Sequence, residues 1–409
     1  MKKSKYYTKS YRMLTLLVMV LFIQLGCKKD DNNVSKGTPV ITAIRNYVAS
    51  PGDSLLSSVG TGKWVVISGR NLKGALSISF DGVKGAFNDA WFSDTSAIAL
   101  IPAVIAFPSV PSDKLNTIEY VTNHGQTTFS FSIVPPAPSI SGVSNENANA
   151  GDSVKINGFN FFFIKKVTYA GVDITGYRAS NDGTNITLPV PAGLTTGGTV
   201  SVTTNSGGDT SAFIVHNYTT GVFNNWDNIN TYPWGSDTKN SSTDFPGNNG
   251  NYNVITASNL APNNFEWYAG GRGVNMGEGQ WVPAADINAP LSSYAVKFEI
   301  SVPKTKPWTN GSIYVAVNYS FNFIGVYTPW KNANGSTTPF ITDGWMTVTI
   351  PLSNFRKDNG SGDPVGSITE LVGASGRNGM NIWFINDTSK PVTEFTAAID
   401  NIRVVKIVK

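Results

Sequence analysis

Two stretches of this chain repeat each other at a fixed spacing. Residues 65–72 read Val-Val-Ile-Ser-Gly-Arg-Asn-Leu, and residues 154–161, which begin 89 positions later, read Val-Lys-Ile-Asn-Gly-Phe-Asn-Phe. In both copies, short runs of alternating apolar and polar residues are bounded by Gly, Pro and Asn. We find no convincing amphipathic helix beyond the first 27 residues. This pattern predicts stacked β-sandwiches.

The repeated motif has the form Gly-x-Asn followed by a large apolar residue. Gly69 and Gly158 occupy its first position, and Leu72 and Phe161 occupy its last. We expect the two glycines to supply a backbone conformation that a Cβ atom disfavours. We expect Leu72 and Phe161 to fill the cores of the two sandwiches.

Repeat length, strand pattern and motif together resemble the IPT/TIG family of immunoglobulin-like domains. The resemblance implies one such sandwich over residues 38–135 and another over residues 136–217, both acting as spacers. The joint at residues 135–138 reads Pro-Pro-Ala-Pro, which lacks most amide hydrogens and should be stiff. Trp64 and Trp91 belong to the first of these domains, and we interpret them as structural.

Residues 218–409 predict a third, larger sandwich. Alternating positions define the strand faces. One predicted strand has a face formed by Ile313, Val315, Val317 and Tyr319. On another, Met380, Ile382 and Phe384 form one face and alternate with Asn381, Trp383 and Ile385 on the other face. A run of such strands suits a single jelly-roll-like sandwich. The predicted fold class is therefore all-β, with two immunoglobulin-like sandwiches followed by a larger jelly-roll-like one.

The N-terminus has the pattern of a secretory signal. Five basic residues precede an apolar stretch at residues 13–25, which is followed by Gly26 and Cys27. The stretch is too short to span a bilayer comfortably and predicts a signal peptide over residues 1–26. Cys27 is the only cysteine, and its setting resembles the lipobox of bacterial lipoproteins. That resemblance implies cleavage before Cys27 and acylation of this residue.

Residues 27–37 form the predicted lipidated tether. Within it, residues 28–33 read Lys-Lys-Asp-Asp-Asn-Asn. They resemble the export signal that sends Bacteroidota lipoproteins to the outer face of the outer membrane, and a plain solvated tether is the alternative. The expected location is the outer membrane, with a lipid anchor and the protein facing the extracellular side.

Charge and cysteine content argue against several classes of protein. The chain has 31 Lys and Arg against 27 Asp and Glu, but five of the bases lie in residues 1–26, which leaves 26 against 27. A nearly neutral mature protein lacks the electrostatic footprint of a nucleic-acid binder. A single cysteine forms no disulfide within the chain. His124 and His216 are isolated in sequence, and we predict no metal site and no cofactor.

Eight of the ten tryptophans lie in residues 218–409, several of them in loops rich in Gly, Asn and Pro. Large apolar rings on loops are unfavourable in water unless a ligand covers them. The C–H groups on the face of a pyranose ring can stack on indole, while its hydroxyls need polar partners. The distribution of tryptophan therefore predicts a carbohydrate-binding surface in this part of the chain.

A wider resemblance rests on residues 223–226 with 232–235, on residues 344–355 and on residues 398–404. With the leader and the tandem IPT/TIG domains, they resemble the surface glycan-binding lipoproteins of Bacteroidota polysaccharide-utilisation systems, of the type with a C-terminal xyloglucan-binding domain. The resemblance implies a monomeric protein that captures a β-glucan such as xyloglucan without cleaving it. It also implies an outer-membrane glycan porter and surface glycosidases as partners.

Loop position and this resemblance together indicate the sugar-binding residues. The candidates are Trp234, Trp267, Tyr268, Trp281, Trp330 and Arg272. Arg272 is expected to hydrogen-bond to hydroxyls, and the five rings are expected to stack on sugars. Trp345 and Trp383 lie on predicted strands, where packing between the sheets explains them. We predict no catalytic residue.

Two other classes of function stay open. One is a surface endo-glycoside hydrolase, which needs two carboxylates on either side of a sugar. The carboxylates available for that role include Glu266, Glu278, Asp286, Glu299, Asp343, Glu370 and Glu394. Their spacing singles out no pair. The other class is a protein-binding adhesin built on the same two immunoglobulin-like spacer domains. The identity of the polysaccharide also stays open.

Overall fold

The structure is a computed structural model that describes residues 36–231, 237–268 and 271–408. Strands make up nearly all of the regular secondary structure in these ranges, which confirms the predicted all-β fold class. Across the described residues, no helix has the length and apolar character needed to cross a membrane. Cys27 and Trp234 lie outside the described ranges.

The chain divides into two compact units, one ending at Pro135 and the other beginning at Pro136. The strands of the first unit are β1 (Val40–Asn46), β2 (Ser58–Gly60), β3 (Trp64–Arg70), β4 (Ala75–Phe80), β5 (Val83–Lys84), β6 (Ala86–Phe87), β7 (Ser96–Leu100), β8 (Thr117–Thr122), β9 (Gly125–Ser130) and β10 (Ser132–Val134). Sheet β1-β3-β7-β6 and sheet β5-β4-β8-β9 form a sandwich, and β10 pairs with β2. Leu72 is fully buried, as predicted.

The glycines of the repeated motif are required by space. A Cβ atom on Gly69 would lie 1.9 Å from the carbonyl oxygen of Val40. One on Gly158 would lie 2.0 Å from the carbonyl oxygen of Ser139. Neither glycine has a positive φ, so the prediction that they adopt a backbone conformation disfavoured by a Cβ atom was wrong. The reason is instead a bulge in the neighbouring strand, which brings a carbonyl group against the α-carbon.

The second unit begins with another sandwich of the same kind. Its strands are β11 (Ser139–Val143), β12 (Ser153–Phe159), β13 (Ile164–Tyr169), β14 (Val172–Asp173), β15 (Arg178–Ala179), β16 (Asn185–Pro189), β17 (Val200–Thr204) and β18 (Gly207–Thr210). They form the sheets β11-β12-β16-β15 and β14-β13-β17-β18. Phe161 lies in the core between them, as predicted.

A larger sandwich, which we call the C-terminal domain, completes the second unit. Its strands are β19 (Val222–Asn224), β20 (Thr238–Lys239), β21 (Tyr252–Leu260), β22 (Gly273–Gln280), β23 (Tyr294–Ser301), β24 (Ser312–Val317), β25 (Ser320–Tyr327), β26 (Met346–Pro351), β27 (Arg377–Ile385) and β28 (Val392–Lys406). One sheet has the order β20-β21-β28-β23-β26, with β19 also paired to β28, and the other has the order β22-β27-β24-β25.

Helical segments are short throughout the described ranges. They are Asp89–Trp91, Phe107–Ser109, Ala284–Asp286, Leu291–Ser293, Leu352–Asn354, Lys357–Gly360 and Ile368–Val372. The core of the C-terminal domain lies between its two sheets, where β27 contributes Met380, Ile382 and Phe384. Successive side chains of a strand point to opposite faces. Trp383 therefore points to the outer face of the four-stranded sheet.

The second sandwich and the C-terminal domain share a buried, charged interface. Glu146 of the sandwich accepts hydrogen bonds from Lys297 Nζ and, at 2.7 Å, from Arg403 Nη2. Arg403 also donates to Glu299 at 2.9 Å. Burial opposes the charge of Arg403, but Glu299 and Glu146 outweigh it and raise the pKa of the guanidinium. These bonds hold the C-terminal domain on the second sandwich.

Candidate functional site

The outer face of sheet β22-β27-β24-β25 carries a cluster of aromatic side chains. Trp383 on β27, Tyr314 on β24 and Phe321 on β25 lie beside one another, and Phe265 and Trp267 from the loop before β22 pack on them. The ring centroids of Phe321 and Trp383 are 5.1 Å apart. Those of Phe321 and Tyr314 are 6.4 Å apart. The loop before β22 is therefore fastened to the sheet by ring contacts.

Three rings at the top of this cluster reach solvent. Trp267 is half-buried and lies flat on Trp383, with centroids 4.8 Å apart and an angle of 10° between the planes. Tyr268 meets Trp267 edge-on at 5.8 Å, and Tyr319 lies 5.6 Å from Trp267. Tyr268 is 68% exposed and Tyr319 is 43% exposed. We call Trp267, Tyr268 and Tyr319 the aromatic platform.

Tyr319 is displayed by a tight turn. Val317 pairs with Ser320, so Asn318 and Tyr319 form a two-residue hairpin loop between β24 and β25. Both loop residues have positive φ, 51° and 58°, as a type I′ turn requires. The predicted position of Tyr319 on one strand face with Ile313, Val315 and Val317 was wrong, because β24 ends at Val317. The turn directs Tyr319 away from the core instead.

Buried amide groups support the platform from below. The Tyr319 backbone N–H donates to Asn381 Oδ1 at 2.6 Å. Asn381 Nδ2 in turn donates to Asn275 Oδ1 at 2.9 Å. Trp383 Nε1 donates to the same Asn275 oxygen at 2.7 Å. Because paired, buried polar groups are costly to disrupt, this network fixes the ring beneath Trp267 and the turn that carries Tyr319.

Arg272 was expected to reach solvent, but it is buried, with only 3% of its surface exposed. Its Nη1 donates to Asn264 Oδ1 at 2.9 Å, and the same oxygen accepts the backbone N–H of Glu266. Burial lowers the pKa of the Arg272 guanidinium, against the raising effect of Glu266. In this position Arg272 holds the loop that presents Trp267 and Tyr268.

Two predicted stacking rings are buried. Trp281 is 1% exposed, donates Nε1–H to the carbonyl oxygen of Asn378 and contacts the ring of Phe223. Trp330 is 7% exposed and donates Nε1–H to the carbonyl oxygen of Gly311 at 2.7 Å. Distant segments cover both rings, so their expected exposure was wrong. Trp234 lies outside the described residues, and its role stays a prediction.

Trp345 and Trp383 are buried, but not between the sheets as expected. Trp383 lies under Trp267 on the outer face of the four-stranded sheet. Trp345 packs with Phe245 and Tyr252 in a separate cluster of the C-terminal domain. Alternation along a strand does not distinguish an inward face from an outer face that a loop covers.

A polar cleft of about 680 Å³ lies at the other end of the same outer face. Its lining includes Trp330, Lys331 and Asp387. Asp387 accepts hydrogen bonds from Ser312 Oγ at 2.8 Å and from Tyr314 Oη at 3.2 Å. Tyr314 also belongs to the aromatic cluster, so the cleft and the cluster share one surface. Rings and hydroxyl-binding groups thus occur together, as in many sites for polar organic ligands.

Six of the seven candidate carboxylates of a hydrolase are in ion pairs. The pairs are Glu278–Arg377, Asp286–Lys406, Glu299–Arg403, Asp343–Lys304, Glu370–Lys357 and Glu394–Lys306. Hydrogen bonds from Tyr294 and Lys406 lower the pKa of Asp286, and one from Lys357 lowers that of Glu370. The general acid of a glycosidase needs a raised pKa. The lowered pKa therefore argues against Asp286 and Glu370 as the general acid of a glycosidase.

The described residues contain no group of three or more His, Cys, Asp or Glu placed to hold a metal ion. Sequence reasoning missed the exposed position of Tyr319 beside Trp267 and the position of Trp383 beneath Trp267. A signal for Tyr319 was present, because Asn318-Tyr319 is a two-residue break between two alternating runs. The position of Trp383 under Trp267 had no local signal, since it depends on a loop about 115 residues away in the sequence.

Comparisons with known proteins agree with this architecture. Residues 216–406 match the family model described as surface glycan-binding protein B xyloglucan binding domain. The chain is 26% identical over 204 residues to an IPT/TIG domain-containing protein of Bacteroides ovatus. That match covers 46% of this chain and 41% of the relative, so it spans about two fifths of the relative's length.

A similar fold occurs in a solved structure. The crystal structure of a surface glycan-binding protein B from Prevotella bryantii matches with a TM-score of 0.69 and 22% identity, over 91% of this chain and 99% of that one. The fold of the two proteins is therefore shared over nearly their whole lengths. Through its C-terminal domain, the chain is therefore similar to the surface glycan-binding protein B xyloglucan binding domain.

Proposed function

We propose that this protein is a cell-surface lipoprotein that binds a plant-type polysaccharide, a β-glucan such as xyloglucan, and holds it for uptake and degradation. The observation that carries the proposal is the aromatic platform. Trp267, Tyr268 and Tyr319 stand at a sheet surface and are supported by Trp383 and by buried amides. Rings fixed in this way bind a sugar without losing much side-chain entropy.

The platform suits a weak, extended contact with sugar rings. Trp383 covers one face of Trp267, and we assign to the ligand the part of the half-buried indole that reaches solvent. By analogy with the stacking of bases on aromatic side chains, each ring contributes roughly 1 to 3 kcal/mol. Three rings, less the cost of association, correspond to dissociation constants from about micromolar to millimolar. Weak binding suffices when many copies hold one polymer.

The polar cleft around Asp387 adds the second requirement of a sugar site. Its carboxylate and the nearby lysines Lys331 and Lys390 line a space on the same face as the platform. These groups provide acceptors and donors for hydroxyls. We assign to the cleft the polar contacts that Arg272 was expected to make, since Arg272 is buried.

The ion pairs of the candidate carboxylates support binding without cleavage. Glu278, Asp286, Asp343 and Glu370 are held by cationic side chains, and the pKa is lowered in Asp286, Asp343 and Glu370. We propose that the protein is not an enzyme and that surface glycosidases cleave the polymer it holds. An outer-membrane porter is the proposed partner for uptake, and the protein is proposed to act as a monomer.

A panel of polysaccharides tests the function. The full chain is run in native gels containing xyloglucan, mixed-linkage β-glucan, β-mannan or no polymer, and its retardation is measured. We expect retardation in at least one β-glucan and no new reducing ends after prolonged incubation with it. New reducing ends would establish a hydrolase. No retardation in any gel would contradict glycan binding and favour the adhesin.

The anchor has a separate test. Cells expressing the chain are labelled with an alkyne analogue of palmitate, and surface exposure is assayed by treating intact cells with protease. We expect labelling that is lost in Cys27→Ala, together with digestion of the protein on intact cells. An unlabelled protein would contradict acylation, and full protection from protease would contradict display on the outer face.

A further inference from the structure

The first unit carries its own row of aromatic rings at the surface. Tyr47, Trp64 and Trp91 are 54%, 37% and 53% exposed. The Trp64 ring is central, with its centroid 6.2 Å from that of Tyr47 and 6.0 Å from that of Trp91. Trp64 and Trp91, which were expected to be structural, are therefore not core residues. We call these three rings the N-terminal row.

Three separate segments of the first unit bring the row together. Trp64 is the first residue of β3, and its neighbour Val65 is fully buried, so Trp64 points outward. Val65 pairs with Asn46, the last residue of β1, and Tyr47 follows directly. Trp91 ends the short turn Asp89–Trp91. The row is thus a product of the fold and not of neighbouring positions in the sequence.

The second sandwich shows that this fold does not need the two tryptophans. At the 89-residue spacing of the repeat, the residue equivalent to Trp64 is Ser153, and residues 136–217 contain no tryptophan. The strand pairings preserve that spacing, since Ile67 faces Ala97 in one copy and Ile156 faces Ile186 in the other. A sandwich of the same design therefore has serine at the position of Trp64 and no indole in the segment that corresponds to the one carrying Trp91.

Tyr47 also has a dissimilar counterpart. Ile44 faces Ile67 in the first sandwich, and Val143 faces Ile156 in the second. Three residues further along each strand stand Tyr47 and Glu146. Glu146 makes the buried contacts to the C-terminal domain, whereas Tyr47 is largely exposed. All three rings are thus particular to the first sandwich, which indicates a role beyond packing.

The geometry and surroundings of the row indicate what it binds. A central ring with one neighbour on each side at about 6 Å is also the arrangement of the aromatic platform, where the spacings are 5.6 and 5.8 Å. Beside the row, Arg45 Nη2 donates to Asp53 Oδ2 at 2.5 Å. Both side chains are partly exposed. A guanidinium and a carboxylate that neutralise each other offer hydrogen bonds to hydroxyls without attracting a charged partner.

We propose that the N-terminal row is a second carbohydrate-binding site, which takes an uncharged, extended chain of β-linked pyranoses. The inference rests on the proposed function, because the ligand is the polysaccharide that the C-terminal domain holds. Once one site has bound the polymer, binding at the other becomes intramolecular, and the combined affinity exceeds that of either site. Long polymers therefore bind more tightly than short oligosaccharides.

The test compares four forms of the full chain in the polysaccharide gels. They are the unchanged chain, Trp64→Ser with Trp91→Ser, Tyr268→Ala, and all three substitutions together. Serine is chosen because the second sandwich carries it at the position equivalent to Trp64, and because a small polar residue suits the exposed position of Trp91. Phe159→Ala, which removes a ring that is 61% exposed on the second sandwich, is the matched control. Circular dichroism and thermal unfolding check that each form is folded.

We expect the double serine variant to weaken retention by the polymer roughly tenfold, as loss of stacked rings implies. Residual retention of Tyr268→Ala should disappear when the serine substitutions are added, and Phe159→Ala should match the unchanged chain. Retention of the double serine variant equal to that of Phe159→Ala would overturn the inference while leaving the proposed function intact. Failure of the unchanged chain to bind any polymer would instead refute the proposed function, and this inference with it.

Discussion

Trp267 lies parallel to Trp383, with ring centroids 4.8 Å apart and 10° between the planes. The upper ring is half-buried and the lower ring is fully buried. One indole thus covers another, so Trp267 contributes to stability in addition to its proposed contact with a ligand. Substitutions of the platform residues should therefore differ in whether they affect glycan binding alone or binding and stability together.

Tyr268→Ala should weaken glycan binding without destabilising the fold. The ring is 68% exposed, so its removal opens no cavity. We expect retention in a β-glucan gel to fall about tenfold, in line with the loss of one stacked ring, and the melting temperature to stay unchanged. Ile341→Ala, another partly exposed apolar position of the same domain, is the control and should change neither quantity. Unchanged retention in Tyr268→Ala would remove this ring from the site.

Trp267→Ala should affect both binding and stability. It removes a stacked aromatic pair and exposes Trp383, which costs about 1 to 2 kcal/mol of unfolding free energy. Chemical denaturation measures that loss, and gel retention measures binding. A variant that loses binding at full stability would mean that Trp383 is not covered by Trp267 in solution.

Arg272 is expected to position the loop and not to touch the sugar. Its partner is Asn264 Oδ1, at 2.9 Å. Arg272→Met and Asn264→Ala should therefore weaken retention by similar factors, because each releases the loop that carries Trp267 and Tyr268. Calorimetry with a xyloglucan oligosaccharide compares the two. A strong effect of Arg272→Met with none from Asn264→Ala would indicate direct contact with the ligand.

Glu146→Gln should destabilise the second unit. The change removes the charge that faces Lys297 and Arg403 in a buried interface. Breaking such a pair from one side typically costs about 3 to 5 kcal/mol, because an uncompensated charge remains. Denaturant unfolding measures the loss. Asp343→Asn, which breaks the exposed pair with Lys304, is the control and should leave stability unchanged within error. Equal stability of the two variants would contradict the importance of the interface.

Alkaline pH should destabilise the second unit through Tyr218. Burial raises the pKa of Tyr218 to about 12, from an ordinary value of 10. A raised pKa favours the neutral phenol in the folded state, so this contribution to stability is complete below pH 10 and is lost as the pH rises toward 12. Thermal unfolding between pH 9 and 12 should show a shallower decline for Tyr218→Phe. An identical decline would mean that Tyr218 does not carry the effect.

Local patterns were sufficient for much of the fold. The 89-residue repeat and the alternation of β27 predicted the sandwiches and which residues share a face, because both depend on near neighbours in sequence. The motif glycines were identified correctly, although the bulge that requires them was not. A bulge is a property of two paired strands, and the sequence of one strand does not specify it.

Ring exposure was much less predictable. Trp281 follows a Gly-rich run and was expected to be exposed to solvent. The rings of Phe223 and Phe355, which are 58 and 74 residues away in the sequence, pack against it instead. Trp64 begins a strand and was expected to be structural, yet it is partly exposed. Tyr319 was placed on a strand, but a turn carries it outward. For the two tryptophans, the deciding contact, or its absence, involves residues distant in the chain, whereas the turn at Tyr319 is local.

The amino-acid order alone determined that this protein is a series of β-sandwiches rich in aromatic rings, because strand periodicity and turn residues act over a few positions. The tertiary structure decided which rings reach water and which support them. Solvent exposure depends on the segments that fold over a side chain, as the loop carrying Trp267 does over Trp383. That arrangement separates rings exposed at the surface from a core built of the same residue types.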